Sequence, residues 1–158
     1  ATAAFGFLEA YDQFVRPVSP QDRDRYWAEG QTAAGLYGAD APPVSQAEWE
    51  NRLAGMLPEL EPSAIVFDFL AILQAAPIFP RLFRPCQHSM IRAAVTMTPS
   101  AVRDRLGLDA TWDLSPRERR WICRGGLWSD RVFLTSSPPA QACLRMGLPA
   151  NYLYRSAV

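Results

Sequence analysis

The sequence predicts an all-α protein, a bundle of about seven to eight helices. Three observations carry that prediction. Apolar residues recur at helical spacing along the whole chain. Ser-Pro pairs and Ser followed by Glu three residues on, both helix-start signatures, stand before several of the apolar runs. There is no strong period-two run and no hairpin signal.

The first helix covers residues 1–15. At about 100° per residue, Ala4, Phe7, Leu8, Tyr11, Phe14 and Val15 share one face, and Glu9, Asp12, Gln13 and Arg16 the opposite one. No polar cap precedes it, and a residue placed one step before Ala1 falls in the middle of the apolar face. The expectation is a chain that starts inside a buried helix and forms the C-terminal portion of a larger domain. Arg16-Pro17 ends that helix. Ser19, Pro20 and Asp22 open a second, carrying Tyr26, Trp27, Ala33, Ala34 and Leu36 and fading near Gly38. After the Pro42-Pro43 loop, Ser45 and Glu48 form a capping box for a helix with Trp49, Leu53, Met56 and Leu57 inward.

Pro58 and Pro62 interrupt. Ser63 caps a helix to about Ala76 that is apolar almost all round and is expected to be central. Residues 79–85 form a turn or short helix, and 87–97 a helix with Met90, Ile91, Ala94 and Val95 inward. Residues 100–106 form a short helix closed by Gly107. Ser115 and Glu118 make a second capping box, whose helix weakens at Gly125-Gly126 and resumes over 127–134. Pro138-Pro139 introduces a last helix with Cys143, Leu144 and Met146, ended by Gly147, and the apolar tail 148–155 docks.

A chain of 158 residues, 49% hydrophobic and 20% charged, suffices for one domain with its own core, spanning 1–158. Sixteen acidic residues balance sixteen basic ones, which argues against a nucleic-acid footprint and against a basic membrane-surface patch. Every basic residue is Arg, so no Lys here can act as Schiff-base former, phosphate clamp or general base. That bias, with 14 Pro and abundant Ala, points to GC-rich coding as in actinobacteria. Cys86, Cys123 and Cys143 lack metal-ligand spacing and read as free thiols of a reducing compartment, the cytoplasm. The longest apolar run, 64–76, contains Asp68 and Gln74 and is too short to span a bilayer.

Several segments resemble the bacterial family of MpaB-like and latex-clearing-protein (rubber oxygenase) domains. They are Ala1-Thr2 followed by Phe7-Leu8-Glu9-Ala10-Tyr11, the run VSPQDRDRYWAE from Val18 to Glu29, and Trp49-Glu50 with Leu53. TPSAVRDRLGL from Thr98 to Leu108, SPRER from Ser115 to Arg119, and LPANYLYR from Leu148 to Arg155 follow in the same order. The likeness covers nearly the whole chain and the rear half to two-thirds of the family's domain. It implies an all-helical domain that binds haem b and performs oxidative chemistry on an isoprenoid-like or other hydrophobic substrate. It also implies a proximal His just upstream of Ala1, with the distal polar groups upstream as well. Ala3 and Ala4, like Ala1, are small enough for a flat macrocycle to approach, and Phe7 and Tyr11 lie further along the same face. Ala3, Ala4, Phe7 and Tyr11 are therefore the expected cofactor contacts. This segment alone is not expected to hold haem; the upstream part of the same domain is its expected partner.

Other candidates have plainer readings. His88, the sole histidine, reads as a partly exposed residue at a helix start rather than an axial ligand or general base. Arg117, Arg119, Arg120 and Arg124 read as a solvated helix face opposite Trp121, Ile122 and Leu127, the alternative being an anion grip. Trp27, Trp49, Trp112, Trp121 and Trp128 fit core packing as well as a substrate channel. Asp68 is anomalous in the most apolar helix: if buried it needs a partner or a raised pKa, otherwise it faces a loop or caps a neighbour. No Ser-His-Asp set, GxSxG, HExxH, P-loop or GxGxxG is present, which excludes an independent hydrolase or NTPase. Two rival readings stay open: an all-α apolar-ligand domain, such as a repressor effector part, and a structural or interaction domain without haem.

Overall fold

Ser19, Ser45, Ser63 and Ser115 each turn the chain into a helix by accepting a first-turn backbone N–H, as the sequence predicts. They do so in a computed structural model that describes residues 2–132 and 134–154. The helices are α1 (Thr2–Phe14), α2 (Pro20–Glu29), α3 (Gln31–Leu36), α4 (Gln46–Met56) and α5 (Ala64–Ala75). They continue as α6 (Arg84–Met97), α7 (Ser100–Leu106), α8 (Pro116–Arg131) and α9 (Pro138–Arg145), with 3₁₀ turns between some of them. No strand occurs among the described residues, so the all-α reading stands. Ala1 and Arg155, which belong to the first and last resembling segments, lie outside the described residues.

Among the described residues, two apolar clusters stand out in the core. One joins Leu8 of α1, Trp27 of α2 and Trp49 of α4. The other joins Leu70 of α5, Ile91 and Val95 of α6 and Leu108 after α7. α1 also packs on α6 and α8. Its contact with α8 explains one departure from the sequence reading. Gly125-Gly126 does not interrupt α8, which runs unbroken to Arg131. A Cβ at Gly126 would stand 2.6 Å from the Phe14 carbonyl oxygen, so the missing side chain serves close helix approach rather than a break.

Other expectations are corrected. The second predicted helix divides at Gly30 into α2 and α3. α5 is not central: Leu70 is its only buried residue, while Ile65, Phe67, Phe69 and Ile72 are exposed. Asp68 shares that exposure, so it is not the buried carboxylate that the apolar helix suggested. In α6, Ile91 and Val95 are buried as expected, but Met90 and Ala94 are exposed, and Gln87, Ser89 and Ala93 take the inner positions. The buried arc is rotated because polar side chains do structural work there. Gln87 Nε2 donates to the carbonyls of Leu73 and Ala76 at 2.6 and 2.8 Å, closing the C-terminal end of α5. Ser89 lies 2.7 Å from Glu118, which also pairs with Arg92.

α1 departs from its simple two-faced wheel as well. Its expected solvent face carries Glu9 and Asp12, which hold the half-buried Arg23 at 2.6 and 2.8 Å. On α8, Trp121 and Leu127 are exposed rather than inward, and Arg119 lies over the Phe14 ring at 5.4 Å while Arg117, Arg120 and Arg124 face water. In the last helix Cys143 is buried but Leu144 and Met146 are exposed. The tail returns against α9, with Leu148 and Ala150 half-buried.

Candidate functional site

The first turns of α1 are small-sided, and a cavity of about 580 Å³ opens against them. Ala3, Ala4 and Phe7 form its α1 wall. Tyr26, Trp27 and Gly30, from α2 and its end, form the floor, and Ala33, Ala34 and Tyr37 with Pro42 and Pro43 form the far wall. The size is within the usual range for small-molecule sites, and the lining is mainly apolar and aromatic, as such sites are.

Local forces fix each wall. The Tyr26 hydroxyl donates to the Ala4 carbonyl at 3.1 Å, tying α2 to α1, and burial pushes the Tyr26 pKa up. Trp27 Nε1 donates to Gln46 Oε1 at 3.0 Å, so the buried indole leaves no unpaired polar edge. The far wall is strapped by Gln31, whose Nε2 donates to the Pro42 and Pro43 carbonyls at 3.0 and 2.9 Å. Ala41 completes that turn at φ +43°, a left-handed conformation that costs an L-residue about 1–2 kcal/mol. Glu29 brings the one carboxylate of the lining, held by Arg25 at 2.7 Å.

Of the four contacts expected from the sequence, the structure brings three together. Ala3, Ala4 and Phe7 line the cavity, and the Phe7 ring is 73% exposed, available to whatever enters. Tyr11 does not line it. One turn further along, its hydroxyl donates to Asp130 at 3.4 Å, while Arg16 holds the same carboxylate at 2.7 Å. Burial, then the Asp130 charge, raises the Tyr11 pKa. The sequence reading missed the α2–α3 walls. The cluster of Gly30, Ala33 and Ala34 beside Tyr26 and Trp27 was the available signal, since small residues next to aromatic ones leave room for a ligand.

Small side chains and aromatic rings alternate around the lining, which suits an apolar group. It holds no His or Cys. His88 is exposed on α6, away from the cavity. Among the described residues no group of three His, Cys, Asp or Glu is arranged to hold a metal ion, and no helix is long and apolar enough to cross a membrane. The three cysteines are free, Cys143 buried and the others half-buried.

A family model described as "ER-bound oxygenase mpaB/B'/Rubber oxygenase, catalytic domain" matches residues 1–129. The match takes in every residue of the cavity and most of α8; the resembling run at 148–155 falls beyond it. No curated protein and no solved structure matches significantly.

Proposed function

The chain belongs to the mpaB/rubber oxygenase catalytic-domain family, and on that premise we propose that it is the C-terminal helical part of a haem b-dependent oxygenase acting on a hydrophobic substrate. The observation that supports this reading is the cavity at the head of α1, with Ala3, Ala4 and Phe7 on one wall. Ala3 and Ala4 let a flat ring system approach the helix closely, and Phe7 offers it an apolar face. Tyr26, whose hydroxyl donates to the Ala4 carbonyl, keeps α1 seated on α2. Haem, when bound, supplies the oxygen-activating redox chemistry. Its iron ligand, on this proposal, is the family's His just upstream of Ala1, so this segment holds the faces of the group and not its metal. The mainly apolar lining favours a hydrophobic substrate. A reducing cytoplasm is the proposed setting, in keeping with three free thiols.

The test is haem loading of the full-length protein, followed by its Soret absorbance. Ala3→Trp fills the cavity from an exposed position, so the fold survives, as circular dichroism would verify. The wild type is expected to show a Soret band and the variant to lose most of it. An equal band in both overturns the role of the cavity, and no band in the folded wild type overturns the haem reading. A second reading, an apolar-ligand domain without haem, is favoured by the mainly apolar and aromatic lining. A bound lipid without iron in native mass spectrometry would select it.

A further inference from the structure

We infer that the outer face of α8 docks the protein onto an anionic phospholipid surface. α8 runs sixteen residues, and Arg117, Trp121, Arg124, Trp128 and Arg131 follow one another at i, i+4, i+7, i+11 and i+14. At about 100° per residue these five fall within an arc of roughly 80°, forming one stripe about 21 Å long. Arg120 borders it. The stripe faces water: the four Arg are exposed, and Trp121 and Trp128 are 51% and 67% exposed. None of the four Arg has an ion-pair partner among the described residues. The carboxylates of α8 lie off the stripe and are already paired, Glu118 with Arg92 and Asp130 with Arg16. The net charge of zero, which argued against a basic surface patch, is therefore a whole-chain average that hides a local one.

Chemistry selects the occupant. A guanidinium donates in pairs to phosphate oxygens, and its aliphatic stem lies along apolar surface while the head stays wet. An indole is amphipathic and settles at the headgroup level of a bilayer. Arg and Trp alternating along one outward face match a helix lying in the plane of an anionic interface. Single-stranded nucleic acid is bound in grooves with stacking walls, and a protein hot spot seats its Trp in a pocket; this stripe is the ridge of one helix.

The full-length protein is sedimented with vesicles of phosphatidylcholine alone and of phosphatidylcholine with phosphatidylglycerol, with Trp fluorescence read in parallel. The wild type is expected to pellet with the anionic vesicles only, with a blue-shifted emission, and to be released by high salt. Arg117→Gln with Arg124→Gln should weaken partition by roughly fivefold for each Arg removed, with helix content unchanged. Trp128→Ala, at a residue two-thirds exposed, should weaken it too and diminish the blue shift. The inference is overturned if the wild type stays in the supernatant, if both variants partition as the wild type does, or if it binds single-stranded oligonucleotide or an acidic protein through these Arg while ignoring vesicles.

Discussion

The two core clusters are built on different plans. The cluster of α1, α2 and α4 is aromatic and closed on several sides. Phe5 stacks on Trp49 at 4.1 Å, Trp27 lies 6.2 Å from Trp49, and Arg23 bridges Glu9 and Asp12 beside them. The cluster of α5, α6 and Leu108 is aliphatic and one-sided: α5 gives it Leu70 with Val66 and Leu73 at the margin, and turns its remaining apolar residues outward. Hydrophobicity alone therefore does not rank these helices. The less apolar α1 and α2 are the better held, because large rings bring more contact area and their polar edges find partners. It is this firmer cluster that forms the floor of the cavity.

The largest expected effect tests that ranking directly. Trp49→Ala removes a buried ring that touches both Phe5 and Trp27, and should destabilise by about 3–5 kcal/mol in urea unfolding. Leu70→Ala empties the centre of the aliphatic cluster and should cost less, about 2–3 kcal/mol, because α5 can settle inward from its open side. The reverse order would break the comparison and make α5 the stronger anchor.

What was legible in the sequence was mostly local. A Ser whose side chain caps the next turn is read within four residues, so Ser19 and Ser115 opened helices where expected. Ala3, Ala4 and Phe7 were legible as candidates because one wheel and one family resemblance pointed to the same face, and the cavity brings those three together. Non-local facts were not legible. The exposure of Ile65 and Asp68 depends on what packs over α5, which composition does not encode. Gly126 reads as a helix breaker until Phe14 is seen crossing it, and the far wall of the cavity depends on Gln31 reaching Pro42 and Pro43 eleven and twelve residues away. Tyr11 shares a wheel face with Phe7 but is drawn to Asp130 on another helix.

An intermediate effect comes from the polar seam between α6 and α8, beside the aliphatic cluster. The Arg92 guanidinium, with the Ser115 and Ser89 hydroxyls, holds the Glu118 carboxyl at a pKa of about 2, below its ordinary 4.5. Its folded pKa is depressed, so the stabilisation is fully present above pH 4.5 and is lost as the pH falls towards 2. Unfolding midpoints measured across that window should fall for the wild type. They should fall less for Glu118→Gln, which has no carboxylate to protonate but is weaker at neutral pH. Parallel curves would mean that the seam does not join the two helices energetically.

The smallest expected effect separates exposed apolar surface from core most sharply. Ile65 is 76% exposed on the outer side of α5, five residues from buried Leu70 on the same helix. Ile65→Gln removes little buried area and replaces a β-branched residue with one of better helix propensity. Its stability should stay within about 0.5 kcal/mol of wild type, against the 2–3 kcal/mol expected at Leu70. Two positions in one apolar helix would then differ severalfold for a reason that hydropathy cannot supply. If Ile65→Gln instead costs as much as Leu70→Ala, that face of α5 is covered in solution, and the one-sided description of the aliphatic cluster fails.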